Sequence, residues 1–210
     1  MNMRSEQAHT LFSVAQQRLF RDLEGLKFQR KTSGFTSFRV SFPYREGLYM
    51  LLPVSFCIVC EESIYKSAVF QTLLKISPGY PYKPPTLCVK NQVYHPNIDI
   101  DSGEVSLKIL EANTWQQEFT INSIISAFEL VLMNPDLDCL PLNPMNYEMR
   151  ETLLSNPGEF QCSVKETLNG GFFMSKYYFE TMYGKPNAPN MAKDQLFVNT
   201  KRPRYSIRDI

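Results

Sequence analysis

The chain has almost no net charge, almost no histidine and no long apolar run, and each shortage removes a class of function. Lys and Arg number 22 against 21 Asp and Glu, a formal charge of +1 over 210 residues, with an isoelectric point near 7.6. That balance offers no bulk attraction for nucleic acid or for a membrane surface, and neither is expected as a partner. The one basic cluster, Lys201-Arg202-Pro203-Arg204, falls short of the usual targeting run and reads as a solvated tail. Two histidines, His9 and His95, cannot complete the half site that the Cys57-x-x-Cys60 spacing suggests. Val54 to Cys60 is apolar and β-branched, so both thiols read as strand packing residues and no metal is expected. No apolar stretch approaches the ~20 residues of a spanning helix, and polar residues follow Met1 where a secretory leader would be apolar. There is no glycine-rich phosphate loop and no internal repeat. The five cysteines are odd in number and mostly far apart, which predicts a reducing cytoplasmic or nuclear location.

What is present is a succession of periodic segments. Leu11, Phe12, Ala15, Leu19, Phe20, Leu23 and Leu26 recur at spacings of three and four, which predicts an amphipathic helix from about Leu11 to Leu26, capped by Thr10 or Ser13. The period then shortens. Phe35 to Phe42, Leu48 to Cys60, Val69 to Ile76 and Thr86 to Val89 read as four strands, separated by turns such as Pro43-Tyr44-Arg45-Glu46-Gly47. Strands joined without intervening helices predict an antiparallel meander, hence an α+β class. Helical spacing returns after Thr120, a credible N-cap for an apolar and central helix that Asn134-Pro135 stops. Pro141 to Pro144 reads as a rigid loop, followed by a helix from about Tyr147 to Leu154 and a last one from Pro157 to Asn169, where Gly170-Gly171 ends it. Residues 184–190 read as linker and 191–210 as a disordered tail.

The most telling stretch is Val105-Ser106-Leu107. Tyr80-Pro81-Tyr82-Lys83-Pro84-Pro85, Val93-Tyr94-His95-Pro96-Asn97-Ile98-Asp99 and the Gly103 turn precede it, and Ile109-Leu110 and Trp115 follow. In that order the set resembles the ubiquitin-conjugating enzyme family, over most of the chain. The resemblance implies a core domain at 15–183, a short N-terminal extension at 1–14 and a C-terminal tail at 184–210. It implies the ubiquitin-conjugating-enzyme fold: N-terminal helix, four-stranded antiparallel meander, central helix and C-terminal helices. Ile64-Tyr65-Lys66-Ser67, Thr120 to Ile125, Gly170-Gly171-Phe172 and Tyr178-Phe179-Glu180 are most similar to the branch that conjugates the cullin modifier in neddylation.

In that family the residue between the β-branched residue and the leucine is a cysteine, which carries the modifier as a thioester. Here it is Ser106. A thiol with a pKa near 8.5 is both an available nucleophile and a good leaving group, whereas an alcohol is far less acidic. An oxygen ester is attacked by amines much more slowly, so Ser106 is expected to be a poor acceptor and a worse donor. Activating a serine needs a base within hydrogen-bond reach. His95 is the only candidate nearby in sequence, and the family uses it to shape the turn. By resemblance the Asn97 amide donates to the oxyanion formed when lysine attacks, with a bond to the loop backbone as its alternative role. Asp136 and Asp138 are candidates for the acidic residue that orients and deprotonates that lysine, against a reading as solvated loop aspartates. Cys139, in the same loop, is either a packing thiol or a substitute carrier.

The resemblance also implies partners: a ubiquitin-like modifier, its activating enzyme and a RING-type ligase. Tyr82, Lys83 and Trp115 mark the ligase face. Trp115-Gln116-Gln117-Glu118-Phe119 lacks the proline usual after the tryptophan and adds a negative charge, which predicts altered ligase binding. Leu11-Phe12 is the sole apolar pair available to imitate the longer extension by which the neddylation branch docks on its activating enzyme. No cofactor is expected, since ATP is used by the activating enzyme only. The expected function is that of a neddylation-type pathway protein, catalytically impaired and acting by binding. Two alternatives stay open: an active transferase forming an ester at Ser106 or using Cys139, and a serine engineered into an active enzyme to trap an ester.

Overall fold

Alternating burial along four strands builds the sheet that carries the rest of the molecule. The computed structural model describes residues 3–28, 35–135 and 144–183. Strands β1 (Thr36–Val40), β3 (Tyr49–Ile58), β4 (Val69–Ile76) and β5 (Thr86–Val89) form an antiparallel meander in that spatial order. A further short strand, β2 (Tyr44–Glu46), pairs with the start of β3 in the segment that reads as a turn from sequence. Pro53 sits in the middle of β3, a central strand, where it would ordinarily cost a ladder bond. Its carbonyl accepts from Ser41, in the gap between β1 and β2, so its missing donor falls where neither strand is paired.

Leu52, Val54, Phe56 and Ile58 recur at period two and are buried on one face of the sheet. Helix α2 (Ile121–Met133) packs on that face through Phe128, whose ring meets Phe56 edge-on at 5.2 Å and Phe70 at 6.2 Å. Thr120 caps α2 as expected, accepting from the Ser123 amide while the Ser123 hydroxyl accepts from Thr120 N–H. The Thr36 hydroxyl donates to the Glu129 carboxylate, tying β1 to the same helix.

Helix α1 runs Met3–Phe28, well beyond the expected start near Leu11. Its first turns are polar and carry no apolar period, which is why spacing alone started the helix too late. It also takes up most of the stretch read as an extension. Helix α3 (Pro144–Ser155) begins at the proline assigned to a loop; a proline is well tolerated in a first helical turn. Helix α4 (Pro157–Asn169) starts on Asn156, which accepts from Glu159 N–H, and stops at Gly170 with φ +87°. After it comes an unexpected hairpin, β6 (Gly171–Phe173) and β7 (Tyr177–Phe179). The chain then returns to the main sheet: Val69 N–H donates to Met182 O and Ala68 bridges Tyr183. Asp136, Asp138, Cys139 and the expected tail lie outside the described residues.

Candidate functional site

The stretch that carries Ser106 is held by backbone hydrogen bonds on two sides. On one, Val89 N–H donates to Gly103 O at 2.7 Å and Val105 N–H to Leu87 O at 2.9 Å, so residues 103–105 lie along β5. On the other, Asp99 N–H donates to Glu104 O and Ser106 N–H to Asn97 O, both at 2.8 Å. The turn between is closed by the Asp99 carboxylate, which accepts from Asp101 and Ser102 amides at 3.0 and 2.6 Å. Val105 and Leu107 point into the core at 5% and 3% exposure, which leaves the half-buried Ser106 between them on the other face.

His95 supports this arrangement from below. It is fully buried, stacked on Tyr65 at 5.5 Å, and uses both ring nitrogens. Nδ1 accepts from Asn97 N–H at 3.0 Å, so the ring proton sits on Nε2, 3.3 Å from the Val131 carbonyl at the end of α2. Burial pushes the imidazole pKa down to about 3, with the Val131 carbonyl opposing. His95 is therefore a neutral tie between the turn and α2, with no nitrogen left to take a proton from a serine. Asn97 is also buried, at 2% exposure, and its side-chain Nδ2 has no hydrogen-bond partner among the described residues. A buried amide donor left over on the residue whose carbonyl holds Ser106 is the one polar group here that the fold does not use.

A further residue completes the clamp. Asn146, on α3 and fully buried, donates through Nδ2 to His95 O at 3.1 Å and Ile98 O at 2.8 Å. Sequence spacing missed it because Asn143-Pro144-Met145-Asn146 reads as loop; a helical asparagine on a buried face was the available signal. The remaining thiols do not replace the missing one. Burial raises the pKa of Cys57, and burial with the Glu104 carboxylate raises that of Cys88, against thiolate formation, while Cys162 is exposed on α4.

The ligase-face residues come together on two adjoining loops. Trp115 Nε1 donates to Pro81 O at 2.7 Å, joining the Trp115–Phe119 loop to the Tyr80–Lys83 loop, with Tyr82 68% exposed and Lys83 beside it in solvent. Both loops are anchored to α1. Arg18 donates to Asp22 at 2.9 Å, to Gln117 O at 2.8 Å and to Phe119 O at 3.0 Å, and the Tyr80 hydroxyl donates to the other Asp22 oxygen at 2.5 Å. Asp22 is 6% exposed, a carboxylate on the same helix face as Leu19 and Leu26. That polar interruption of an apolar stripe is legible in the sequence and went unread.

Among the described residues no group of three or more His, Cys, Asp or Glu could hold a metal. No described helix is long and apolar enough to cross a membrane.

Comparison with known proteins agrees with this geometry. The family model "Ubiquitin-conjugating enzyme" matches residues 18–168. Among curated relatives, Nedd8-conjugating enzyme UbcE2M of Drosophila melanogaster is 34% identical over 130 residues, 62% of this chain and 68% of that one. The NEDD8-conjugating enzyme Ubc12 of Arabidopsis thaliana is 28% identical over 166 residues, 79% of this chain and 83% of that one. Among solved structures, S. cerevisiae Ubc12 superposes with a TM-score of 0.65 over 87% of this chain and 96% of its own, at 23% identity, and so shares the fold. Conjugating enzymes of this kind work with a ubiquitin-like modifier, its activating enzyme and ligases. With its meander, its His95-Pro96-Asn97 turn and its central helix in place, this chain belongs to the ubiquitin-conjugating enzyme family.

Proposed function

We propose that the protein acts in a neddylation-type conjugation pathway as a binding member of the family, with little or no transfer activity of its own. The observation that carries this reading is Ser106 itself: a hydroxyl stands at the carrier position of an otherwise well-bonded turn. His95, the only histidine near it in sequence, is buried, neutral and fully engaged. A serine without a base is a weak nucleophile, and its ester would resist aminolysis. The partners are the modifier of its relatives, NEDD8, the cognate activating enzyme and a RING ligase that meets Tyr82, Lys83 and the Trp115 loop. Asn97 retains the free amide that an oxyanion would take. Its persistence supports descent from an active carrier. Asp136 and Asp138 are the candidates for the group that deprotonates lysine in such a carrier. No cofactor is required, ATP being spent by the activating enzyme, and a reducing cytoplasmic or nuclear setting suits the free thiols.

The test is a charging assay of the protein beside Ser106→Cys, with the activating enzyme, NEDD8 and ATP. The reading expects no adduct on the parent and a thiol-sensitive thioester on the variant. An alkali-labile, dithiothreitol-resistant adduct on the parent would overturn it and make Ser106 an acyl carrier. A dithiothreitol-sensitive adduct on the parent that disappears in Cys139→Ala would overturn it in favour of Cys139.

A further inference from the structure

The C-terminal hairpin carries an apolar surface that the fold does not need. Its inward residues, Phe173, Tyr177 and Phe179, join the core, and the Phe173 ring meets Tyr94 at 5.1 Å. Its outward residues are aromatic as well. Phe172 and Tyr178 face one another across the register, ring on edge at 5.2 Å, yet are 78% and 57% exposed. Between the strands, Met174 and Ser175 both adopt left-handed backbone, φ +50° and +54°, a turn that asparagine or glycine makes without strain. Met174 instead places a long apolar side chain at the tip, 62% exposed. Strain and exposure at one residue point away from folding as its purpose.

The neighbourhood supplies a charge. The Lys176 ammonium bonds the Tyr177 hydroxyl at 2.7 Å and also feels the carboxylates of Asp101 and Glu148, which raise its pKa further. The tip thus lies near the Asp99–Gly103 turn that leads to Ser106 and near the start of α3, with acidic groups at its margin. Two exposed rings and a methionine offer on the order of 400 Å² of apolar surface, about half of the ~800 Å² per partner that a standard interface buries. That is too little for a stable dimer of this chain and enough to seat a short segment.

We infer that the outward face of the hairpin, Phe172, Met174 and Tyr178 with Asp101 and Glu148 at its margin, is a docking site for a short apolar peptide segment flanked by lysine or arginine. Its nearness to the Ser106 turn fits a segment presented to the carrier site, and binding does not depend on whether Ser106 reacts. The site therefore stands or falls separately from the charging assay.

The experiment uses the full chain and an immobilised array of synthetic nonapeptides in which leucine or phenylalanine alternates with lysine, with a matched array carrying glutamate at every lysine position. The lysine array should retain the protein at least tenfold better than the glutamate array. Phe172→Ser combined with Tyr178→Ser should cut retention at least tenfold while leaving the melting temperature unchanged, both side chains being outside the core. Glu148→Lys should lower it severalfold. Equal retention on both arrays, no retention on either, or retention undiminished in the double variant would overturn the assignment. So would a dimer, seen by sedimentation equilibrium, that the double variant dissolves. A truncation after Tyr183 that raises retention severalfold would replace the peptide with residues 184–210 as the occupant.

Discussion

Gly103 combines φ +70° with a close approach: a Cβ there would lie 2.0 Å from the Val89 carbonyl oxygen, the next residue of β5's own backbone. Since that contact is with backbone, nothing flexible can yield, and a side chain would push the Ser106 turn off the sheet edge. Gly103→Ala should therefore lower stability by about 3 kcal/mol, read as a shift in urea midpoint; a change within experimental error would contradict the contact. His95 permits a signed pH prediction. Its folded pKa is about 3, against about 6.5 in the unfolded chain. Above pH 6.5 both states are neutral and the full stability is present. Between 6.5 and 3 only the unfolded chain takes up the proton, so stability falls as the pH falls, by about 1.4 kcal/mol per unit. Unfolding at pH 7.5 and 5.5 should differ by about 1.4 kcal/mol more in the parent than in His95→Gln. Equal slopes would show that His95 is not held neutral.

Elements declared themselves in the sequence to the extent that their own residues specified them. β3, β4, β5 and α2 were legible because strict alternation or a 3.6 period runs through several buried residues in each. β2 was not: Tyr44, Arg45 and Glu46 are all exposed, and the strand exists because the start of β3 offers a free edge. The hairpin β6–β7 was hidden for a related reason, its strands being three residues long and following a Gly170-Gly171 pair that reads as a stop. At the site, the Ser106 stretch and the His95-Pro96-Asn97 turn were visible as motifs, whereas Arg18, Asp22 and Asn146 act through contacts distant in sequence. The α1 anchor makes that distance measurable. Asp22→Ala removes the acceptor of both Arg18 and Tyr80 in a buried setting, for a cost of about 3 kcal/mol. Combined with Tyr80→Phe in a double-mutant cycle, it should show a coupling of ~0.5–3 kcal/mol. Strict additivity of the two would mean that α1 and the Tyr80 loop are not joined through this carboxylate.

At the scale of the molecule, the site turn is where three layers meet: β5 holds residues 103–105, α2 holds His95 through Val131 O, and α3 holds His95 and Ile98 carbonyls through Asn146. A segment bonded on several sides by core elements opens only when those elements separate, so its local stability should approach the global value, unlike that of an ordinary surface loop. Amide exchange can read this directly. The N–H groups of Asn97, Val105 and Ser106 should exchange as slowly as those of β3 and β4, although Ser106 lies at the surface. Asn146→Ala strips two buried carbonyls of their donor, a cost of about 1–3 kcal/mol for each. Because that loss falls on the turn and not on the far sheet edge, exchange at Asn97 and Ser106 should accelerate more than exchange in β1. Uniform acceleration across all strands would make Asn146 a global packing residue, and no acceleration at the turn would remove α3 from the support of the site.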